Sequence, residues 1–231
     1  MARPERPVDR TVPARAELAD FLRGRRTAAG MTYRQMSSLV SGMPSRTTFE
    51  RAASGSRVPD LETVEVYVRL TVTKEEEFTG STDAAMDQAR KLWIKARRAT
   101  RAPYHLHKAP DPSLISNRAD FSRALRDQHV WAGCPSPGEM SQASGAGMLP
   151  KTTAYRIIAG RTLPVTPVQA LAFLKACYVQ PPEEVEWLAA AVRVLVGSCE
   201  HPDWADAHAR LHERVSKNRD GIPVRRLEAV A

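Results

Sequence analysis

The chain has 231 residues, of which 42% are hydrophobic and 6% aromatic, and its formal net charge is +8. This length favours two domains of about 100 residues with small cores, and the charge favours a polyanionic partner. No apolar run approaches the roughly 18 residues that cross a bilayer, and no apolar signal segment opens the chain, so we expect a cytoplasmic protein without a membrane partner.

Residues 1–13 combine Pro and Arg with almost nothing to bury, which predicts a flexible basic arm. Such an arm is either a solvated tail or a segment that follows a DNA groove. The helical spacing of Leu18, Phe21 and Leu22 then predicts a first helix that stops at Gly30.

A second helix is predicted after Thr32, which can cap it. Its expected buried stripe is Met36, Leu39 and Val40. Tyr33 and Arg34 are expected outside this stripe or at its edges. The segment 42–44 interrupts the helix, and Ser45 is a suitable N-cap for a third one. Two short helices joined by a tight turn that contains Gly are typical of a helix-turn-helix unit.

The third helix belongs to a pattern that occurs twice, at residues 47–59 and 152–164. Both copies read Thr-Thr, two residues, Arg, three residues, Gly, three residues, Pro, and each follows a basic residue. At about 100° per residue, each copy has one apolar face. These faces are Phe49, Ala52 and Ala53 in the first copy and Ala154, Ile157 and Ile158 in the second. The opposite faces carry Thr47 with Arg51 and Thr152 with Arg156.

The rest of the first domain is predicted to contain a fourth helix near residues 61–70 and a fifth over 84–98, with Trp93 as a core anchor. The acidic run 74–77 predicts a solvated helix start, because acids suit that end of a helix. Residues 101–116 contain three prolines and predict an extended linker. Residues 91–112 hold six Lys or Arg against one Asp and could add phosphate contacts.

Residues 117–197 repeat the order of the first domain more weakly, and residues 198–231 predict a C-terminal helix and tail. Pro135, Pro137 and Gly138 crowd the start of the second helix of this domain, which predicts a looser or shifted helix pair. The expected fold is therefore all-α, with helix-turn-helix domains at 14–100 and 117–197 joined by the linker 101–116.

The segment GMTYRQMSSLVSGMPSRTTFERAASGSRVP, residues 30–59, resembles the repressor-type (Cro/XRE-like) helix-turn-helix family. The likeness is greatest to actinobacterial regulators with a Thr-Tyr-Arg-Gln second helix and a downstream Trp. It covers about residues 16–98, and a weaker likeness covers about 118–196. The resemblance implies a bundle of four or five helices in which the third helix enters the DNA major groove and the start of the second touches the phosphate backbone.

Carried over by position, the resemblance implies a DNA-facing surface in each unit. In the first unit it comprises Tyr33, Arg34, Ser45, Arg46, Thr47, Thr48, Arg51 and Arg57. In the second it comprises Lys151, Thr152, Thr153, Arg156 and Arg161. Arg can bond guanine O6 and N7 together, and Thr can serve phosphate or base edges. Glu50 would repel phosphate unless it pairs with Arg46 or accepts from a cytosine amino group.

The histidines, the cysteines and the known catalytic motifs are also possible sources of metal binding or catalysis, and none of them indicates such a site. His208 and His212 lie one turn apart and could hold zinc with Cys199 or His201, but they fit no standard metal motif. The three cysteines are odd in number and outside any paired spacing, which favours a reducing compartment. No phosphate loop, nucleophile elbow or convincing carboxylate pair occurs, so we expect no enzyme activity, cofactor or metal.

These patterns predict a sequence-specific protein that binds double-stranded DNA, in the first place a transcriptional regulator. Residues 45–54 are the predicted reading helix, and residues 151–159 are a candidate second one. The alternative is an architectural or adaptor protein in which one or both units dock a protein partner. In that alternative the units could also bind plasmid, phage or chromosomal DNA for a purpose other than transcription. The sequence leaves open a homodimer.

Overall fold

The computed structural model describes residues 5–195 and 203–220. Over these ranges all regular secondary structure is helical, which confirms the all-α class. No helix in them is long and apolar enough to cross a membrane. The chain divides into two compact units, Met1–Pro103 and Tyr104–Ala231.

The first unit contains α1 (Pro13–Ala28), α2 (Tyr33–Leu39), α3 (Arg46–Ala52), α4 (Leu61–Leu70), α5 (Lys74–Thr79) and α6 (Thr82–Arg101). The second contains a 3-10 turn (Pro112–Leu114), α7 (Arg118–Trp131), α8 (Pro137–Ser144), α9 (Lys151–Ile158), α10 (Pro167–Ala176), α11 (Pro181–Leu195) and α12 (Asp203–Asp220). In each unit a pair of short helices, α2 with α3 and α8 with α9, is in mutual contact.

Aromatic side chains form much of the core of the first unit, in which α6 packs on α1 and α4. Trp93 is 1% exposed, and its indole N–H donates to the carbonyl of Pro59 at 2.8 Å, so its predicted role as a core anchor is confirmed. Tyr67 lies between two edge-on rings, Tyr33 at 6.3 Å and Phe49 at 5.7 Å between centroids. Such edge-to-face pairs stabilise a core beyond the area they bury.

The buried side of α2 differs from the predicted stripe. Tyr33 is 8% exposed and Met36 is fully buried, whereas Leu39 is 66% exposed. Leu39 lies six positions after Tyr33, which places it about 120° away around the helix. The prediction was wrong for both Tyr33 and Leu39, because the contact of Tyr33 with Tyr67 sets which side of α2 faces the core.

The predicted N-caps Thr32 and Ser45 are confirmed. Thr32 forms a capping box with Gln35, and the hydroxyl of Ser45 accepts from the amide of Thr48 at 3.2 Å. Each cap satisfies an amide that the helix itself leaves without a partner.

The second helix of the second unit begins more regularly than predicted. Ser136 caps α8 and forms a capping box with Glu139, while Pro137 occupies the first helical turn. Proline is well tolerated there, because its missing N–H would have had no partner within the helix. The expectation of a loose helix start was therefore wrong at this position.

The acidic run 74–77 does begin a helix, α5, but Glu76 is not simply solvated. Its carboxylate accepts two hydrogen bonds from the guanidinium of Arg25, at 2.7 and 2.9 Å, and one from the backbone amide of Thr73 at 2.9 Å. Because of these bonds, with those from Arg25 foremost, the pKa of Glu76 falls to about 2. This ion pair joins α5 to α1.

The predicted linker is partly built into the second unit. Pro112 and Ile115 are buried, and Arg193 on α11 donates to both of their carbonyls, at 2.9 and 3.3 Å. The helix α12 packs on α11 and buries Trp204 and Leu211. Residues 112–115 and α12 thus complete the core of this unit.

Two equivalent hydrogen bonds, one within each unit, show which residues of the two units correspond in sequence. Arg25 on α1 donates to the carbonyl of Thr71 at 3.0 Å, and Gln128 on α7 donates to the carbonyl of Cys177 at 3.3 Å. Thr71 directly follows α4, and Cys177 directly follows α10, the corresponding helix of the second unit. This alignment pairs α1 with α7 at an offset of 103 positions.

Residues 5–12, called the strap here, lie against the first unit. The amide of Asp9 donates to the carbonyl of Ser54 at 2.8 Å, and Arg23 donates to the carbonyl of Arg6 at 2.8 Å. Arg15 bonds both Thr11 and the carbonyl of Ser56, at 3.0 and 2.7 Å. The prediction of a flexible arm was therefore wrong for residues 5–12, because polar groups of α1 and of the loop after α3 fix the strap.

Glu5 anchors the start of the strap. It accepts from the hydroxyl of Tyr33 at 2.5 Å and from Arg26 at 2.9 Å, and Nε of Arg23 lies 3.1 Å from its carboxylate. We expect Glu5→Ala to weaken docking of the strap by about 1–2 kcal/mol, since it leaves these donors without their acceptor. Faster hydrogen exchange of the Asp9 amide would measure this loss.

The matched control is Glu62→Ala, since Glu62 is an exposed carboxylate on α4 of the same unit. Equal exchange of the Asp9 amide in both variants and in the parent would contradict the anchoring role of Glu5.

Candidate nucleic-acid interface

Hydroxyl groups cluster at the start of α3. The hydroxyl of Ser45 lies 3.0 Å from that of Thr47 and 2.9 Å from that of Thr48. Ser45 and Thr47 are exposed and Thr48 is half-buried. Internal bonds orient the three groups while Ser45 also caps the helix, so they form an ordered polar surface.

Arg46 and Glu50 form an ion pair, which is one of the two roles that the sequence left open for Glu50. Nε of Arg46 donates to Glu50 at 2.7 Å, one turn along α3. The side chain of Arg46 remains 63% exposed. Glu50 therefore lowers the local excess of positive charge without removing the guanidinium from solvent.

The other basic residues assigned to the first surface are exposed. Arg34, Arg51 and Arg57 all face solvent. Over the ranges that the structure describes, no ion pair involves any of these three side chains. Phe49 and Ala52, on the opposite side of α3, are buried, as predicted. This helix thus has an apolar face in the core and a face of Thr and Arg outside.

The second unit repeats this division on α9. Ala154 and Ile157 are buried. The exposed members of the predicted surface are Lys151, Thr152, Arg156 and Arg161, and Thr153 is half-buried. The guanidinium of Arg161 lies 5.6 Å from the ring centre of Tyr155, itself 51% exposed. A cation over an aromatic face is a stabilising arrangement.

Tyr33 does not join the exposed surface. It is buried, and its hydroxyl donates to Glu5. Burial is the main reason that the pKa of Tyr33 is raised. Its ring partner Tyr67 belongs to α4, so the sequence around α2 gave no signal of this packing.

The basic segment 91–112 is only partly available to a ligand. Lys95 pairs with Glu17 at 2.5 Å. Arg97 is buried, and its guanidinium lies 4.6 Å from the ring centre of Trp93. Lys91 and Lys108 are exposed. Lys95 and Arg97 thus interact with other residues of the first unit.

Apolar side chains lie exposed beside the short helix pairs. Met43 precedes α3 and is 85% exposed, and Met148, at the corresponding place before α9, is 47% exposed. Sequence reasoning did not assign these residues to a surface. Their position in the turns, where no helical face sets burial, is the signal that could have identified them.

The histidine and cysteine residues belong to no cluster of three potential metal ligands in the part of the chain that the structure describes. The rings of His208 and His212 are 6.2 Å apart, and no group of three potential metal ligands occurs within residues 5–195 and 203–220. Cys199 and His201 lie outside those ranges. Complete burial raises the pKa of the Cys177 thiol, which disfavours the reactive thiolate.

Comparison of the chain with protein-family models, with curated proteins and with solved structures finds no match to any of them.

Proposed function

We propose that the protein binds double-stranded DNA through the exposed faces of α3 and α9, as a sequence-specific regulator of transcription. The observation that carries this proposal is the repeated division of these two helices. Each has an apolar face in its own core and an exposed face with Thr and Arg in the same order. A core requirement explains the buried faces but not the recurrence of the exposed ones.

The chemistry of the exposed faces suits nucleic acid. Guanidinium groups neutralise phosphates and can form two bonds to one guanine, and hydroxyl groups contact phosphates or base edges. The resemblance to Cro/XRE-like proteins supports the same surface. The first unit presents Arg34, Arg46, Arg51 and Arg57, whereas the second presents Lys151, Arg156 and Arg161.

The test begins with selection of duplexes from a random pool by the full chain. On a selected duplex, we expect Arg51→Ala to lower the affinity by roughly 1–3 kcal/mol and to relax preference at one base pair. Each lost phosphate contact should also reduce the slope of log affinity against log salt by about 0.9. Fluorescence anisotropy at several salt concentrations measures both quantities.

The matched control is Arg69→Ala, because Arg69 is an exposed arginine on α4 that pairs with Glu65 at 3.5 Å. Equal affinities of the Arg51→Ala variant, the Arg69→Ala variant and the parent would show that Arg51 of α3 does not contact the DNA. Arg156→Ala with the same duplex tests α9 separately. No effect of Arg156→Ala would restrict the proposal to the first unit.

The exposed methionines favour a second candidate function, an adaptor in which these surfaces dock a protein. Met43 and Met148 are flexible apolar side chains beside the short helix pairs, and methionine is common at adaptable binding surfaces. Failure of the selection to enrich any duplex, together with a self-association that Met43→Ser abolishes in sedimentation, would favour this function over DNA binding.

A further inference from the structure

The strap of the first unit lies in a groove between α1 and the loop after α3. At the bottom of this groove is Gly55, where an added Cβ would come within 2.5 Å of the carbonyl oxygen of Asp9. Gly55 also has a φ of +75°, which disfavours any side chain. Arg15 and Arg23, both on α1, border the groove and bond to backbone carbonyls of the strap or of its floor.

The second unit has a pocket at the equivalent place. It has a volume of about 480 Å³ and lies between α7 and the loop after α9. Its polar lining comprises Arg118, Ser122, Arg126, Arg161 and Thr162, with Gly160 as the glycine. This pocket is called the second-unit groove below.

The alignment of α1 with α7 identifies the residues that correspond. At the offset of 103 positions, Arg118 matches Arg15 and Arg126 matches Arg23. Gly160 matches Gly55 through the repeated pattern and has a similar φ, +68°. Both arginines and the glycine that accommodate the strap thus recur in the second unit.

No strap fills the second-unit groove from the described part of the chain. The segment before α7, which corresponds to the strap in sequence, contacts α11 instead through the bonds of Arg193. The guanidinium of Arg126 lies over Gly160, with its carbon 3.4 Å from where a Cβ would be, and its Nε donates to the carbonyl of Ser122 at 3.3 Å. A rotamer change of Arg126 would therefore clear the place that Asp9 holds in the first unit.

We propose that the second-unit groove binds an extended acidic peptide segment of a partner protein, in the way that the first unit holds its strap. Arg126 would bond a backbone carbonyl of the peptide, and Arg118 and Arg161 add two further positive charges to the lining. The strap of the first unit has no net charge, since its two Arg balance its Glu and Asp. The second-unit groove has three Arg in its lining, so charge complementarity favours a peptide with acidic side chains.

One position distinguishes the preferences of the two grooves. In the first unit, Arg10 of the strap pairs with Asp20 on α1 at 3.0 Å. The residue that corresponds to Asp20 on α7 is Arg123, which is exposed. A peptide for the second-unit groove should therefore carry an acid where the strap carries Arg10.

The test uses two labelled eight-residue peptides, the strap sequence ERPVDRTV and its Arg10→Glu form, with the full chain. We expect the Arg10→Glu peptide to bind at one site per chain, and Arg126→Glu or Arg161→Glu to weaken it roughly tenfold or more. Arg123→Asp should weaken the Arg10→Glu peptide and strengthen the strap peptide. Arg210→Glu, an exposed arginine on α12 of the same unit, is the matched control and should change neither affinity.

A variant that lacks residues 1–12 shows whether the strap peptide can report on such a groove. It should bind the strap peptide in the vacated first-unit groove, and circular dichroism checks its helix content. Binding of the strap peptide to this variant, without binding of the Arg10→Glu peptide to the full chain, would overturn the proposal. So would absence of binding to both proteins, or an affinity for the Arg10→Glu peptide that Arg126→Glu and Arg161→Glu leave unchanged.

Duplex DNA provides the remaining arm of the experiment. If Arg126→Glu weakens binding to a duplex while neither peptide binds the full chain, the groove contacts phosphate and the peptide proposal is wrong. Because the peptide titrations contain no DNA, their outcome is independent of the function proposed for α3 and α9.

Discussion

Phe49→Ala is expected to destabilise the first unit by about 3–5 kcal/mol, the range for removal of a buried aromatic side chain. Phe49 has no exposed surface, and its ring stands edge-on to that of Tyr67. The substitution would therefore remove both the buried area and the ring contact between α3 and α4. Hydrogen exchange of the full chain, followed by mass spectrometry, resolves the first unit from the second.

Phe78→Ala is the matched control, because it is the same substitution in the same unit at a side chain that is 92% exposed. We expect the slowest-exchanging amides of the first unit to lose protection in the Phe49 variant alone. The second unit should keep its protection in both variants. Equal protection in the two variants would mean that α3 does not depend on Phe49 for its place in the core.

Glu76→Gln is expected to cost about 2–3 kcal/mol at pH 7, because it removes the charge that pairs with Arg25. The side chains of Arg25 and Glu76 are 9% and 21% exposed, so water screens this pair only in part. Glutamine keeps the shape of glutamate and can still serve as the third residue of a capping box. The variant therefore isolates the charge from the cap of α5.

The pair also gives a pH dependence with a defined sign. The carboxyl of Glu76 has a pKa of about 2 in the folded chain, below its usual value of 4.5. The folded state thus binds this proton less readily than the unfolded state. The stabilisation is complete above about pH 4.5 and disappears as the pH falls towards 2.

Hydrogen exchange of the first unit at pH 7 and near pH 3, corrected for intrinsic rates, measures this loss. The Glu76→Gln variant should lack this part of the acid sensitivity. Glu77→Gln, at the exposed neighbouring carboxylate, should behave as the parent does. Identical acid sensitivity of the parent and the Glu76 variant would show that the Arg25 pair contributes no net stability.

Sequence alone predicted the features of this fold that depend on residues close together in the chain. The caps Thr32 and Ser45 need only residues within one helical turn. So does the pair of Arg46 with Glu50, which was one of two alternatives for Glu50. The same holds for the buried faces of α3 and α9, which follow from helical periodicity. The regular start of α8 was not predicted, although Ser136 and Glu139 have the spacing of a capping box.

Features that depend on distant parts of the chain were missed. The burial of Tyr33 requires Tyr67, and the pairing of Glu76 requires Arg25, 51 positions earlier. The docking of residues 112–115 requires Arg193. Periodicity describes one helix at a time, so it cannot show which exposed positions a neighbouring helix will cover.

The same distinction applies to the candidate interface. The exposed Thr and Arg residues of α3 and α9 lie where the repeated pattern predicted, since each faces away from its own core. The pattern could not show that the hydroxyl of Tyr33 donates to Glu5, or that the loop after α9 lines a pocket. Both depend on contacts between parts of the chain that are far apart in sequence.

During synthesis, the strap emerges from the ribosome well before its partners. Arg15 bonds the carbonyl of Ser56, 41 positions later, so a nascent chain must include α3 and the loop after it before the strap has a groove. Contacts within helices and between α2 and α3 close shorter loops and form sooner. A stalled chain that ends at residue 52 would therefore hold α1 with its strap side uncovered.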